Sequence, residues 1–377
     1  MINVLQLIST TGLYGAERWV LALSRNLNSD LVQCSLATPS EPGEGTDFHQ
    51  LFRENGLVSY KCRMRSRFDP LVILGICNVI KRERIQIVHS HGYKSDILAL
   101  LAAKLQGVRT VATPHGFENA ADRKLQLFIR LGCAALRHFD CVTPLSDALA
   151  NDMQRLGIRE DKLRLILNGV DLDEIDRQVV VDATDPQNAS PLKTIVYVGQ
   201  LIERKNVSDL IRAFHLLSQE RSDVRLLIIG DGPSRRNLEE LAASFNLTSR
   251  ILFTGYRNNR LELLKETHLF SMTSSLEGIP RCMMEAMAMR IPVAAFNIPG
   301  VDKLILHEKT GLMAELGDVM GLKQCFNRIL SNPQFAMQLA RDARRHIDQY
   351  YSARRMACEF TELYQQLANG TTRRPNG

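Results

Sequence analysis

The stretch Ser274-Ser275-Leu276-Glu277-Gly278-Ile279-Pro280-Arg281-Cys282-Met283-Met284-Glu285-Ala286 has the pattern of a strand end, a short loop and the start of a helix. Proline suits the first helical position because it has no N–H to leave unpaired, so we expect the helix to begin at Pro280. A helix N-terminus beside a glycine-containing loop favours phosphate or another anion. Glu277 and Glu285 can both point toward one ligand, and carboxylates accept hydrogen bonds from sugar and ribose hydroxyls. A helix cap with two solvated glutamates is the alternative.

Short apolar segments alternate with amphipathic helical patterns on both sides of this stretch. Strands are predicted at residues 194–198, 225–229, 251–254, 269–272 and 293–296, and in the first half at 4–8, 32–37, 85–89, 110–113, 141–144 and 163–167. This alternation predicts an α/β protein with two doubly wound, mainly parallel sheets, whose ligands bind at the carboxyl ends of the strands.

A length of 377 residues predicts about two domains. The polar, turn-rich residues 182–191 are typical of a linker, so we expect a first domain over 1–180 and a second over 192–350. A final amphipathic helix is predicted over 352–368, before a tail over 369–377 that we expect to be disordered. Two such domains leave a cleft where their strand ends face each other.

Composition excludes several function classes. The chain is 45% hydrophobic and 23% charged with a net charge of +6, too weakly basic to indicate a nucleic-acid partner. Its eight cysteines form no C-x-x-C pair, as expected of reduced thiols in a cytoplasmic protein without cysteine-bound metal. The N-terminus is typical of a strand and not of a signal peptide. No apolar run approaches the ~18 residues of a spanning helix, so we expect any membrane contact to be peripheral.

Further motifs follow predicted strands in the first half. Gly12-Leu13-Tyr14-Gly15-Ala16-Glu17 opens a helix, where Gly15 would let a ligand approach the backbone. The stretch does not have the G-x-G-x-x-G pattern of a dinucleotide-binding site. His89-Ser90-His91-Gly92 and Thr113-Pro114-His115-Gly116-Phe117 place histidines at two successive strand ends. Histidine can donate a hydrogen bond to a phosphate or a hydroxyl, and their spacing does not indicate zinc. A plain turn and structural histidines are the alternatives.

In the second half, Glu203-Arg204-Lys205 puts two cations directly after a strand, where they could neutralise a diphosphate leaving group. Gly230-Asp231-Gly232-Pro233 and Gly255-Tyr256-Arg257 are strand-end turns that could line a nucleoside pocket or serve only as turns. For the two cations, a solvated charge pair is the alternative.

Taken together, these residues resemble the retaining glycosyltransferases of family 4, which have the two-domain GT-B fold. The resemblance covers almost the whole chain in order: Gly15-Ala16-Glu17, His115-Gly116, Ser146, Asn168-Gly169-Val170-Asp171, Lys205, Gly230-Asp231-Gly232-Pro233, Glu277 and Glu285 in an E-x7-E arrangement, Ala286-Met287-Ala288 and Pro292-Val293. It implies metal-independent transfer of a sugar from a UDP-, GDP- or ADP-sugar to a glycan or lipid-linked acceptor, and a final helix that crosses back to the first domain.

The resemblance also implies roles for single residues. His115 would contact the donor sugar near the reacting carbon, Lys205 would stabilise the departing phosphate, and Glu277 would bind sugar hydroxyls. The donor would further be bound by Gly15, Arg204, Gly230, Gly232, Tyr256, Gly278, Ile279, Pro280, Arg281 and, through its ribose, Glu285. No metal site and no cofactor is implied.

Three departures from the family pattern bear on activity. Gln200 replaces a common arginine, Arg290 a common glycine, and Lys303 lies in a turn that is usually neutral or acidic. A nucleotide-sugar-binding protein without transfer is therefore one alternative function. An epimerase on the same fold is another, and it would need a general base at the sugar carbon that the sequence does not locate. The basic clusters at residues 61–68 and 81–84 could contact anionic lipid at the inner face of the cell membrane, or could be a solvated face.

Overall fold

The computed structural model describes residues 1–9, 12, 15–40, 47–66, 69–115, 123–180 and 192–370. The chain divides into two compact units, one formed by Met1–Gly169 with Ala353–Gly377 and the other by Val170–Ser352. The first unit thus contains the two ends of the sequence, and each unit is described separately below.

The first unit is a six-stranded parallel sheet with helices on both faces. Its elements are β1 (Ile2–Ile8), α1 (Gly15–Asn26), β2 (Val32–Ser40), α2 (Asp47–Glu54), β3 (Val58–Arg63), α3 (Val72–Arg82), β4 (Ile87–His91), α4 (Tyr93–Gln106), β5 (Arg109–Ala112), α5 (Arg123–Leu136), β6 (Cys141–Val142) and α6 (Asp147–Arg155), with a later helix, here α15 (Ala353–Ala368). The strand order is β3-β2-β1-β4-β5-β6.

Two apolar clusters cover the two faces of this sheet. One combines sheet residues such as Val4 and Ile87 with Trp19 of α1 and Phe360 of α15. The other joins alternate sheet residues such as Leu5 to α3, α4 and α6. Because side chains alternate along a strand, one apolar strand supplies both cores. The placement of the last helix in the first unit is as predicted.

The second unit repeats this architecture. It contains α7 (Leu172–Val180), β7 (Lys193–Val198), α8 (Val207–Glu220), β8 (Val224–Ile229), α9 (Arg235–Ser244), β9 (Ile251–Gly255), α10 (Arg260–Leu264), β10 (Leu269–Met272), α11 (Arg281–Ala288), β11 (Val293–Asn297), α12 (Val301–Leu304), β12 (Leu312–Glu315), α13 (Val319–Ser331) and α14 (Pro333–Tyr350). The order β12-β11-β10-β7-β8-β9 is again parallel throughout.

Two doubly wound parallel sheets confirm the predicted fold class, and several details differ from the prediction. The segment 163–167 is not a strand, since Leu163 forms only an isolated bridge to Val142. The strands β3 and β12 were not predicted. Helix α11 begins at Arg281, one residue later than predicted, and Pro280 is its N-cap residue instead of its first helical residue.

The boundaries of the units also differ from the predicted domains. The first unit ends at Gly169 instead of residue 180, because α7 packs against α10 and α11 of the second unit. The second boundary falls between residues 352 and 353, close to the predicted start of the last helix. The whole of the predicted linker, and the tail from residue 371, lie outside the described residues.

Candidate active site

In the second unit, the loop between β10 and α11 is fixed by the loop that follows the neighbouring strand β7. The Ser275 N–H and hydroxyl both donate to the Arg204 carbonyl, at 2.8 and 3.1 Å. The Thr273 hydroxyl donates to the Lys205 carbonyl at 3.2 Å. Since β7 and β10 are adjacent parallel strands, their carboxyl ends meet at one edge of the sheet, as predicted for a ligand site.

A third loop closes on the same stretch. Gly300, after β11, has φ of 92°, and a Cβ there would lie 1.6 Å from the Gly278 carbonyl oxygen. Only glycine allows this backbone approach. The position of the loop at Gly278 therefore depends on Gly300, which lies three residues before the departing Lys303.

Lys205 and Glu277 form an ion pair in which Lys205 Nζ donates to Glu277 Oε1. The two side chains are only 12% and 8% exposed. Arg204 lies beside them, with Nη1 3.9 Å from Glu277 Oε2 and donating to the Leu276 carbonyl at 3.2 Å. The structure thus brings together Arg204, Lys205 and Glu277 as one cluster.

Glu285 lies among two arginines, and its side chain is 3% exposed. Arg260 binds it with two nitrogen atoms, Nη2 to Oε1 and Nε to Oε2, the latter at 2.9 Å. Arg281 Nε donates to Oε1 at 2.9 Å. Burial disfavours the Arg260 cation, and the Glu285 carboxylate outweighs that burial, so the pKa of Arg260 lies above its usual value.

Sequence reasoning missed Arg260. It lies at the start of the short helix α10, in no motif, only three residues beyond the noted turn at Arg257. Its Nη1, like that of Arg281, is buried without a hydrogen-bond partner in the part of the chain that the structure describes. Buried unpaired N–H groups are costly, so these two nitrogen atoms are candidate donors for ligand oxygens.

The predicted glycines at the end of β8 have a packing role. A Cβ on Gly230 would lie 1.8 Å from the Gly199 carbonyl oxygen, and one on Gly232 would lie 2.5 Å from the Leu201 carbonyl oxygen. These close contacts join the β8 turn to the loop after β7. Tyr256 lies half exposed after β9, where its hydroxyl donates to Asn258 at 3.0 Å.

The structure gives the local surroundings of two of the three residues that depart from the family pattern. Arg290, exposed after α11, has φ of 60°, a left-handed conformation in which glycine is favoured, and this explains why a glycine is common there. The Lys303 carbonyl accepts hydrogen bonds from Tyr351 and His346 of the α14 region, both at 3.1 Å, while its side chain is exposed.

In the first unit, the predicted residues lie at the carboxyl edge of its sheet. Gly15 is the first residue of α1, and a Cβ there would meet nothing within 4 Å, so packing does not require glycine. His115 follows β5, is partly buried, and its Nε2 lies 3.2 Å from His91 Nδ1. The ring of Trp19 packs edge-on against His115 at 5.2 Å. Gly116 lies outside the described residues.

Two family models match the chain in succession. The model described as Glycosyltransferase Family 4 matches residues 14–174, and that described as Glycosyl transferases group 1 matches residues 182–346. Together they cover most of both units.

Individual relatives agree with these models. The chain is 24% identical over 323 residues to N-acetyl-alpha-D-glucosaminyl L-malate synthase of Bacillus anthracis, covering 84% of each chain. It is 27% identical over 304 residues to UDP-Gal:alpha-D-GlcNAc-diphosphoundecaprenol alpha-1,3-galactosyltransferase of Escherichia coli, covering 74% of this chain and 78% of the relative.

Solved structures show the same fold. Anabaena HepE in complex with UDP and glucose superposes with a TM-score of 0.81 at 18% identity, covering 97% of this chain and 100% of HepE. A glycosyltransferase from Rickettsia africae superposes with a TM-score of 0.78 at 21% identity, covering 97% and 98%. The chain therefore belongs to glycosyltransferase family 4 and is a glycosyltransferase with the GT-B fold.

Proposed function

We propose that this glycosyltransferase moves a hexose from a nucleotide-diphosphate sugar to a glycan or lipid-linked acceptor, with retention of configuration and without a metal ion. The observation that carries the proposal is the arrangement of four cations around two largely buried carboxylates in the second unit. Lys205 and Arg204 lie at Glu277, whereas Arg260 and Arg281 lie at Glu285. Such a site suits a ligand that has both hydroxyl groups and negative charge.

The charge of this cluster matches a diphosphate. Its four cations and two carboxylates leave two positive charges in excess, and the diphosphate of a nucleotide sugar has two negative charges. The diphosphate gains further negative charge as the bond to the sugar breaks, and fixed cations or helix N-termini nearby lower that barrier. This supports leaving-group stabilisation by Lys205, Arg204 and the start of α11 in place of a metal.

Retention needs no side-chain nucleophile in a front-face reaction, in which the acceptor attacks from the side that the diphosphate leaves. The ion pair with Lys205 orients Glu277, whose remaining lone pairs can accept hydrogen bonds from sugar hydroxyls. On this proposal Glu285 binds the ribose, and the unpaired Nη1 groups of Arg260 and Arg281 donate to nucleotide oxygens.

The test is product analysis with a panel of UDP-, GDP- and ADP-sugars in the presence of a chelator. UDP-sugars come first, because the HepE structure contains UDP and the E. coli relative is named for UDP-Gal. We expect nucleoside diphosphate release with one base, and an α product from an α donor in the NMR coupling of the anomeric proton. Binding without turnover, an altered donor sugar, inversion, or loss of activity in chelator would each contradict the proposal.

We further propose that the chain works in the cytoplasm, at the inner face of the cell membrane. No helix in the described ranges is long and apolar enough to cross a bilayer. Lys61 and Arg63 are exposed on the edge strand β3, and exposed Arg65 follows, while Arg67 lies outside the described residues. Basic residues near an anionic surface contribute about 1 kcal/mol each.

Sedimentation with vesicles of phosphatidylglycerol and phosphatidylcholine tests this surface. Neutralising Lys61, Arg63, Arg65 and Arg67 to glutamine should abolish most vesicle binding. The matched control neutralises four exposed arginines elsewhere, Arg155, Arg159, Arg236 and Arg345. Equal binding of both quadruple variants would contradict a membrane role for the cluster.

A further inference from the structure

The helix layer on one face of the first sheet is basic and almost without acidic residues. Helices α3, α4 and α5 pack side by side, with α4 in the middle, and their buried side chains belong to one apolar cluster. They contain seven lysines and arginines, two in α3, two in α4 and three in α5. Their single acidic residue is Asp96, which is buried and accepts a hydrogen bond from the Ser90 hydroxyl at 2.6 Å.

The outward side of this layer is also apolar. Residues one helical turn apart lie on the same face of a helix, and Leu98, Leu101 and Leu105 of α4 follow that spacing. Leu101 and Leu105 are 44 and 66% exposed, and Leu131 of the neighbouring α5 is 49% exposed. The exposed Lys104 lies next to Leu105 in α4. Exposed leucines among cations are typical of helices that lie in a membrane interface.

The helices on the opposite face of the same sheet provide a comparison within the unit. Among the residues described in α1, α2 and α15, no large apolar side chain is exposed. These helices contain five acidic residues, one in α1 and two each in α2 and α15, and also five arginines, so their charges balance. Single exposed leucines are normal on a protein surface, but their concentration on one basic helix layer marks an interaction surface.

Two carboxylates follow helices of this layer, and both are paired. Glu83 accepts from Arg82 Nε at 2.8 Å, and Asp140 accepts from Arg109 Nη1 at 2.9 Å. The layer therefore stays complementary to a negatively charged surface. It also continues to the basic residues of β3, because the Arg82 guanidinium lies 4.5 Å from the centre of the Tyr60 ring in that strand.

We propose that the outward face of α3, α4 and α5 docks on an anionic bilayer, with Leu101, Leu105 and Leu131 at the boundary between headgroups and acyl chains. Exposed cations of the same layer, such as Lys104 and Arg130, then lie at the level of the lipid phosphates. This inference rests on the membrane part of the proposed function and deepens it, because it names the surface that enters the bilayer.

Two kinds of interaction then hold the protein at the membrane. The attraction between cations and anionic lipid is screened by salt, whereas the removal of leucine side chains from water is not. We therefore expect wild-type binding to vesicles of phosphatidylglycerol and phosphatidylcholine to weaken at high salt without being lost. Contact through charge alone, such as through the basic residues of β3, would release the protein at high salt.

The first test is the triple variant Leu101→Gln/Leu105→Gln/Leu131→Gln in vesicle sedimentation. Glutamine is a good helix former and the three positions are exposed, so the melting temperature and the circular dichroism should match those of the wild type. The partition coefficient should fall by at least roughly tenfold, and the remaining binding should be lost at high salt.

The matched control replaces three equally exposed apolar side chains of the second unit. They are 61, 50 and 56% exposed, and the control variant is Leu252→Gln/Met320→Gln/Met337→Gln. It should bind vesicles like the wild type. Equal vesicle binding by the two triple variants would overturn the inference.

A second test measures insertion directly. The chain has a single tryptophan, Trp19, which is 1% exposed, so a tryptophan added at the surface dominates any response to lipid. In Leu105→Trp we expect a blue shift of the emission with vesicles, and quenching by lipids that are brominated in their acyl chains. Leu252→Trp should show neither. The absence of both responses in Leu105→Trp would overturn the inference, even if the protein sediments with vesicles.

A second copy of the chain is the competing occupant of this face. Light scattering without lipid separates the two, and we expect the same mass for the wild type and the triple leucine variant. A wild-type oligomer that dissociates in the leucine variant, with unchanged vesicle binding, would overturn the membrane contact in favour of an interface between copies.

The outcomes also separate this inference from the proposed function. Full binding by the leucine variant, with binding lost when the basic residues of β3 are neutralised, would overturn the role of the leucines and leave the basic cluster as the membrane contact. No binding of the wild type to anionic vesicles would overturn both. Sugar transfer is measured separately with the donor panel and does not depend on either result.

Discussion

Replacing Lys205 by methionine should separate the stabilising and the catalytic effects of the Lys205–Glu277 ion pair. Methionine keeps most of the length of the side chain and removes its charge, which leaves a carboxylate that is 8% exposed without its main partner. Removing one partner of a buried pair typically costs about 3–5 kcal/mol. Arg204, 3.9 Å from the other carboxylate oxygen, remains as a partial partner, so we expect a loss of about 2–3 kcal/mol in the free energy of unfolding.

The catalytic effect should be separate from this loss of stability. Lys205→Met and Glu277→Ala should each lower kcat for nucleoside diphosphate release by at least roughly tenfold, because one removes the leaving-group cation and the other the sugar acceptor. The double variant Lys205→Met/Glu277→Leu replaces the pair by apolar groups and should recover at least about half of the lost stability. Its activity should stay low.

The assays are urea unfolding followed by far-UV circular dichroism and steady-state kinetics with the donor found in the panel. Lys193→Met is the matched control, since Lys193 begins the same strand β7 and its Nζ donates to the Leu330 carbonyl at 2.6 Å, away from the carboxylates. It should keep the wild-type kcat. Wild-type kcat in Lys205→Met, or no recovery of stability in the double variant, would refute the reasoning.

Three further outcomes are expected. Gly300→Ala should lower the melting temperature and the affinity for the nucleotide, because its Cβ would meet the Gly278 carbonyl at 1.6 Å; Gly317→Ala, with similar φ of 83° but nothing within 4 Å, should cost only about 1 kcal/mol of stability. Arg260→Leu should weaken binding of the nucleoside diphosphate in calorimetry by at least roughly tenfold, whereas Arg236→Leu on the surface should not. Burial raises the pKa of Asp96 to about 7, against a hydrogen bond from Ser90 that lowers it. The folded state therefore binds this proton more tightly than the unfolded chain, so stability is highest below the unfolded pKa of 3.8 and falls as the pH rises to about 7. Asp96→Asn should flatten that fall in urea titrations at several pH values, and an unchanged pH profile would contradict it.

The sequence was most informative where local pattern and chemistry coincide. The buried strands β1, β4, β7 and β10 are short apolar runs, and the segments after β7 and β10 contain Lys205 and Glu277, so these strand ends could be predicted from periodicity alone. The edge strand β3 was missed because only Cys62 of its six residues is buried, and its pattern Val58-Ser59-Tyr60-Lys61-Cys62-Arg63 is mostly polar.

Partners distant along the chain could not be predicted in the same way. Arg260 lies 25 residues from the carboxylate it binds, and nothing in its local sequence marks it as different from a solvated arginine. Gln6 and Tyr364 are separated by 358 positions and meet only because α15 packs on the first unit. Such contacts are a property of the tertiary fold, which side-chain periodicity does not encode.

The position of α15 also has a consequence for biosynthesis. The first unit is translated first, yet its core includes Phe360 and Tyr364 from the last helix, so the ribosome must complete the second unit before the first can be finished. At about 5–20 residues per second this delay lasts roughly 10 to 40 s, during which the face of β1 and β4 that α15 covers is open. The second unit, which is contiguous in sequence, has no such delay. The first unit is therefore the one whose apolar core stays incomplete for longer during synthesis.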